Sequence, residues 1–417
     1  MKILIKNAYI IDKKSSFHQQ NKSIYIEDGQ IKQIADQIKI DHAQVIEGKD
    51  LKVSPTFFDP FVNFGEPGFE DRETLKNGLK VAAKGGFGDV ILQSSTYPNF
   101  DHASIVNQIL TQNTDSICHL HVAGALSLSK QGKELSEILE LHENGVKGFS
   151  DVFNSLEDAN LLKLALLYAQ KVNQLIYSFP LDAQLADDAA VHENLNTYEL
   201  GLKSMPSMAE EVRLKRDLAI LAYTGGKLHI PAISTKGSVE IIKKAKANGL
   251  NISCGVALPN LCYTTEKLQD FNTHFKVFPP LRSESDRIAL IDGLKTGVID
   301  MLSSMHYPRT PEEKNCEFEQ AEIGSLGLES CLGMLLKEFN SEEAVDFLTR
   351  GKAVFQINQT PIEEGQAAAL TCFDLAEKHQ LRAENLQSSV KNSMFIGEKL
   401  NGKIKSTIKN DSCAFYD

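Results

Sequence analysis

The chain has 417 residues, 42% of them hydrophobic and 24% charged, enough to bury a large core as one α/β barrel with a minor domain or as about two or three ordinary domains. A formal net charge of -11 excludes a general attraction to nucleic acid or to an anionic membrane. No stretch approaches the length and apolarity of a membrane span, and the seven cysteines, without a CxxC pair, predict separate thiols in a reducing compartment.

The opening MKILIKNAYIIDKK reads as a short strand of approximate alternation rather than a secretory leader, which predicts a cytoplasmic location. KSIYIEDGQIKQIA follows with the strand–Asp–Gly–strand form of a hairpin. From Pro55 onward the rhythm changes. Amphipathic stretches such as LKNGLKVAAKGG and EVRLKRDLAILAYTGG end in glycine and are followed by short apolar runs such as DVILQSST and KLHIPAIS. Repeated units of this kind predict a closed (β/α)₈ barrel, and no GxGxxG turn points to a dinucleotide-binding sheet. SEEAVDFLTRGKAVF reads as a last helix over 341–355. Short strands then return and are expected to join the first segment, giving a small β domain from 1–52 plus 356–417 and a barrel over 53–355.

The run DPFVNFGEPGFEDRET, Asp59 to Thr74, resembles the loop after the first barrel strand of dihydroorotases, members of the amidohydrolase superfamily. The resemblance continues through AAKGGFGDVILQSSTYP, GFSD, STKGS, FPPLRSESDRIALIDGLKTGVID, HYP, EEKNCEF and FIGEKLNGKIKSTI, nearly the whole chain. It implies an amidohydrolase-type barrel with a small β-sandwich domain, a homodimer, and, in the intact family, a zinc-dependent cyclic-amide hydrolysis. Yet at most of the positions that resemblance assigns to chemistry, the residue has changed. The histidines of the family's Asp-x-His-x-His fall on Phe61 and Asn63, and two further metal-ligand histidines fall on Phe179 and Ala232. The aspartate that serves as metal contact and general base falls on Met305. Asp151 alone matches a metal-bridging position. The substrate-binding Arg and Asn positions fall on Gly65, Ser95 and Phe278, and a carboxylate-binding histidine falls on Arg309.

Phenylalanine and alanine carry no metal donor, and a thioether is a poor zinc ligand that takes up no proton at neutral pH. The expectation is a non-catalytic dihydroorotase-like protein with no cofactor and an apolar centre. Its expected role is structural or regulatory in pyrimidine biosynthesis, with aspartate carbamoyltransferase as the partner that the resemblance implies. The alternative is an active cyclic-amide hydrolase with a rebuilt zinc site. His119-Leu120-His121, read on the third barrel strand, puts two rings on one face and, with Asp151, could supply it; Arg309 offers a guanidinium to a substrate carboxylate. The blander reading makes the pair a packed element of the strand, and makes His229 and His306 structural too. Glu66-Pro67-Gly68 and Pro279-Pro280-Leu281-Arg282 read as loop-shaping elements.

Overall fold

A computed structural model describes residues 1–112 and 116–416. One sheet is built from both ends of the chain. Lys2–Ile10 pairs antiparallel with Asn21–Glu27, which turns at Asp28 and Gly29 into Gln30–Ala35. Both turn residues have positive φ, 49° and 70°, the backbone that an Asp-Gly hairpin turn supplies at low cost. The join between the ends is the antiparallel pairing of Leu51–Pro55 with Ala369–Gln380, in register at Val53 and Cys372. Lys399–Lys409 and Ser412–Phe415 complete the order. Ile3, Ile5, Ile24, Ile26, Val53 and Leu370 are fully buried on one side of it.

Parallel strands make up the second body. Phe57–Val62, Phe87–Leu92 and His119–Val122 form one run. Ile176–Tyr177, Leu228–Ile230, Ile252–Ala257 and Met301–Ser303 form another. Phe149 bridges the two runs, pairing with Gly124 on one side and Ile176 on the other. At the other seam Ser304 N–H donates to Asp59 and Asn63 N–H donates to the His306 carbonyl. These are eight parallel segments in barrel order among the described residues. The strand FFDPFV is buried at every position, as expected where both faces of a parallel strand are covered.

Helix boundaries follow local chemistry. Thr74, Asp158, Thr235 and Ser283 cap Leu75–Lys84, Ala159–Gln170, Lys236–Ala247 and Glu284–Lys295, each side chain satisfying a backbone N–H left free in the first turn. Gly86 ends the first of these in a left-handed conformation, φ 88°, where a Cβ would lie 2.8 Å from the Phe57 ring. The last helix is shorter than its pattern suggests: Ser341–Thr349, followed by a 3₁₀ turn over Arg350–Ala353. All seven cysteines are free. Among the described residues no helix is long and apolar enough to cross a membrane.

Candidate functional site

Loops leaving the C-terminal ends of the barrel strands are where this architecture assembles chemistry. Here they assemble a hydrophobic seal. Phe61, near the end of the strand Phe57–Val62, and Phe179, Ala232 and Met305, each from the loop after a different strand, pack with Val152 and Ala257 in one buried cluster, and Phe153, Leu181 and Phe278 close over it. Phe153 is its hub. Its ring centroid lies 5.5 Å from that of Phe61, 5.2 Å from Phe179 in an edge-on contact, and 5.7 Å from Phe278. Phe179 and Phe278 stack at 5.2 Å. Offset and edge-to-face aromatic contacts add roughly 0.5–1.5 kcal/mol each beyond area burial.

Two backbones are held in the left-handed region to make this seal: Val152 at φ 61° and Met305 at φ 49°. That conformation costs an L-residue on the order of 1–2 kcal/mol, most for a β-branched one. The conformation persists where surrounding packing over-determines it.

The polar residues at the mouth are spent on the frame. Asp59 accepts from Phe61 N–H, Ser303 Oγ and Ser304 N–H at 2.8–3.0 Å; burial pushes its carboxyl up, against those hydrogen bonds. Asp151 accepts from Leu126 N–H at 2.9 Å and Ser127 N–H at 3.0 Å as well as from the Ser127 hydroxyl, and burial raises its pKa too. Asn63 accepts from the Ser95 hydroxyl, while its buried Nδ2 has no partner among the described residues. Gly65 turns the chain at φ 96°. A zinc ion at this mouth would meet apolar side chains at four positions and, at Asn63, an amide oxygen already in use. The residues do not fit the metal that the resemblance implies.

Arg309 is not free for a substrate carboxylate. Its guanidinium contacts Glu313 at 3.0 Å, Glu322 at 3.4 Å and the Ile323 carbonyl at 2.9 Å. Glu313 also takes a two-pronged contact from Arg72, so the pair fastens loop to loop. Arg282 does similar work, bonding Ser234 Oγ and lying 3.4 Å from buried Glu210.

The rebuilt zinc site with Asp151 does not assemble. His119 and His121 do lie on the third strand with rings 4.6 Å apart, but the carboxylate beside them is Asp89, 3.2 Å from His121 Nε2. One donor atom from each of Asp89, His119 and His121 falls within 4.8 Å of the others, a spacing at which one ion could be held. This group occupies the opposite end of the barrel from the seal, since Asp89 and His119 sit early in their strands. Asp89 is also committed: Lys409 Nζ lies 2.8 Å from one oxygen and Lys352 Nζ 3.0 Å from the other. Burial raises its pKa, but His121 and the two ammoniums outweigh that and hold the carboxyl far below its usual range.

His229 lies in the barrel interior, bonded to Ser253 Oγ at 2.9 Å and packed on Tyr177 and Phe355. His306 accepts from Gly327 N–H and meets the Phe64 ring edge-on. Burial lowers the pKa of each to about 3. Motif matching does not single out Val152 and Phe153. The one signal for them was an apolar pair directly after GFSD. Asp89, Lys352 and Lys409, far apart in sequence, carry no local signal at all.

A family model described as dihydro-orotase-like matches residues 52–238. A dihydroorotase of Acetivibrio thermocellus is 34% identical over 416 residues, covering 98% of this chain and 97% of that protein. One from Pelotomaculum thermopropionicum is 32% identical over 427 residues, covering 100% and 99%. Among solved structures, an L-hydantoinase (dihydropyrimidinase) from Arthrobacter aurescens superposes with a TM-score of 0.86 at 22% identity, covering 99% of this chain and 95% of that one. A D-hydantoinase from Thermus sp. reaches 0.83 at 21%, covering 100% and 95%.

Proposed function

The chain belongs to the dihydroorotase-like family, and on that premise we propose that it is a non-catalytic member with a structural or regulatory role in pyrimidine biosynthesis, supporting the assembly of aspartate carbamoyltransferase. The observation that carries the first part is the seal: Phe61, Phe179, Ala232 and Met305 converge on Phe153 where hydrolysis would need a metal, a hydroxide and a base. Losing ligands, base and substrate clamp together removes groups that act as a unit, so no single remaining residue restores the rate. The partner is supported by the resemblance alone, as is a homodimer.

The test is metal analysis and dihydroorotate turnover on one preparation, then gel filtration with and without the transcarbamoylase. Expected are substoichiometric metal, no turnover, and co-elution with the transcarbamoylase. Stoichiometric metal with turnover would refute the non-catalytic reading; unchanged elution would refute the partner.

The second reading is a cyclic-amide hydrolase with a relocated metal. The relatives' names favour it, and so does the spacing of Asp89, His119 and His121. Zinc-loaded protein would then turn over dihydroorotate and lose that activity in His121→Gln.

A further inference from the structure

Beneath the barrel, between its third strand and the hairpin of Lys399–Lys409 with Ser412–Phe415, lies an open recess of about 730 Å³. Its walls carry His119, His121, Lys147 and Lys409, with Ser116 and Ser412 as neutral donors. Lys147 makes no ion pair or side-chain hydrogen bond among the described residues. Lys409 uses its ammonium on the Gly88 carbonyl and on Asp89, which leaves one N–H of the three. No hydrogen bond to the His119 ring occurs among the described residues.

Charge decides what such a recess attracts. Lys147 and Lys409 line the recess against one acid among the described residues, Asp411, an excess of positive charge on a chain whose net charge is -11. Asp89, not itself on the wall, is already paired with Lys352 and Lys409. A divalent cation would have to take Asp89 from two ammoniums at about 3 Å, and like charges that close repel strongly where water is scarce. An oxyanion meets the reverse situation. Two ammoniums and an imidazole N–H, approaching from the barrel on one side and the hairpin on the other, match the several acceptor oxygens of a phosphoryl group, and charge-assisted bonds of this kind are the strong ones. The volume leaves room for an ester substituent.

We propose that this recess binds a phosphoryl dianion through Lys147, Lys409 and His119, at a site separate from the sealed mouth. The proposal does not depend on whether the mouth is inert. The source is free phosphate or a phosphate monoester, and both are used as probes on the full-length protein.

Isothermal titration with inorganic phosphate and with glycerol phosphate is expected to give saturable one-to-one binding, weakened at least tenfold in Lys147→Ala and in His119→Gln. Tighter binding of one probe identifies the source. Histidine Cε1–H resonances should shift for His119 and His121 and not for His306, which is buried far from the recess. No saturable binding, binding unchanged in both variants, or zinc binding in place of phosphate at His119 and His121 would overturn the proposal.

Discussion

Val152 shows how one residue position reports on another's loss. Its φ of 61° is strained for a β-branched side chain, and the side chain it delivers is buried in the seal. Truncation and backbone relief therefore pull in opposite directions. Val152→Gly is expected to be more stable than Val152→Ala by about 1 kcal/mol, the reverse of the usual order, and urea unfolding of the two variants measures it. His306 gives a second residue-scale expectation. Its pKa is depressed by burial to about 3 against about 6.5 when unfolded. The unfolded chain thus takes up a proton below about pH 6.5 that the folded chain refuses, so this contribution is intact above that pH and is lost as pH falls toward 3. His306→Gln keeps an acceptor for Gly327 N–H and removes the titration. Between about pH 6.5 and pH 4 its stability should fall less steeply than wild type, by on the order of 1 kcal/mol per pH unit. Equal slopes in urea titrations would refute the assignment.

Elements were legible where local chemistry governs them. The Asp-Gly hairpin, the capped helices and the apolar strands follow from short stretches of sequence. The fourth barrel strand, at GVKGFS, follows the same rhythm although it is reduced to the bridges of Phe149. The network beneath the barrel was not legible: Asp89, His121, Lys352 and Lys409 come from four segments, and pattern states which face a residue is on but not what stands opposite. This network ties the second and third strands to the sheet hairpin and to the turn after the last helix. Asp89→Ala would leave the Lys352 ammonium, 4% exposed, with Thr56 Oγ1. The expected cost is about 3 kcal/mol or more, since an orphaned buried charge is worse than a missing pair. Lys352→Met should cost less, because Asp89 keeps Lys409 and His121. Denaturant midpoints of the two variants settle the order, and a larger loss in Lys352→Met would count against it.

At the scale of the whole molecule, the resemblance read in the sequence and the fold agree, while the site divides. Ligand positions named from motifs, Phe61, Phe179, Ala232 and Met305, do meet at one place, because the loops that carried the ligands still converge there. Arg309, read from the sequence as a candidate carboxylate binder, is held by Glu313 and Glu322, which carry no mark of that role in their own sequence context. A metal that binds only the folded state stabilises it by mass action. On the proposed reading, in which the mouth holds no metal, exhaustive chelation is expected to leave the melting temperature unchanged in scanning calorimetry; a marked fall would show that a bound ion supports the fold.

An enzyme's mouth must admit and release something at every cycle, which keeps its loops among the least protected parts of the chain. On the proposed non-catalytic reading, the Phe153 hub removes that obligation. Segments flanking Val152, Phe179 and Met305 are stitched together by rings rather than parted for a visitor. Their backbone amides should exchange with deuterated water almost as slowly as those of the barrel strands, so that the part of the molecule built to breathe has become part of what holds its breath.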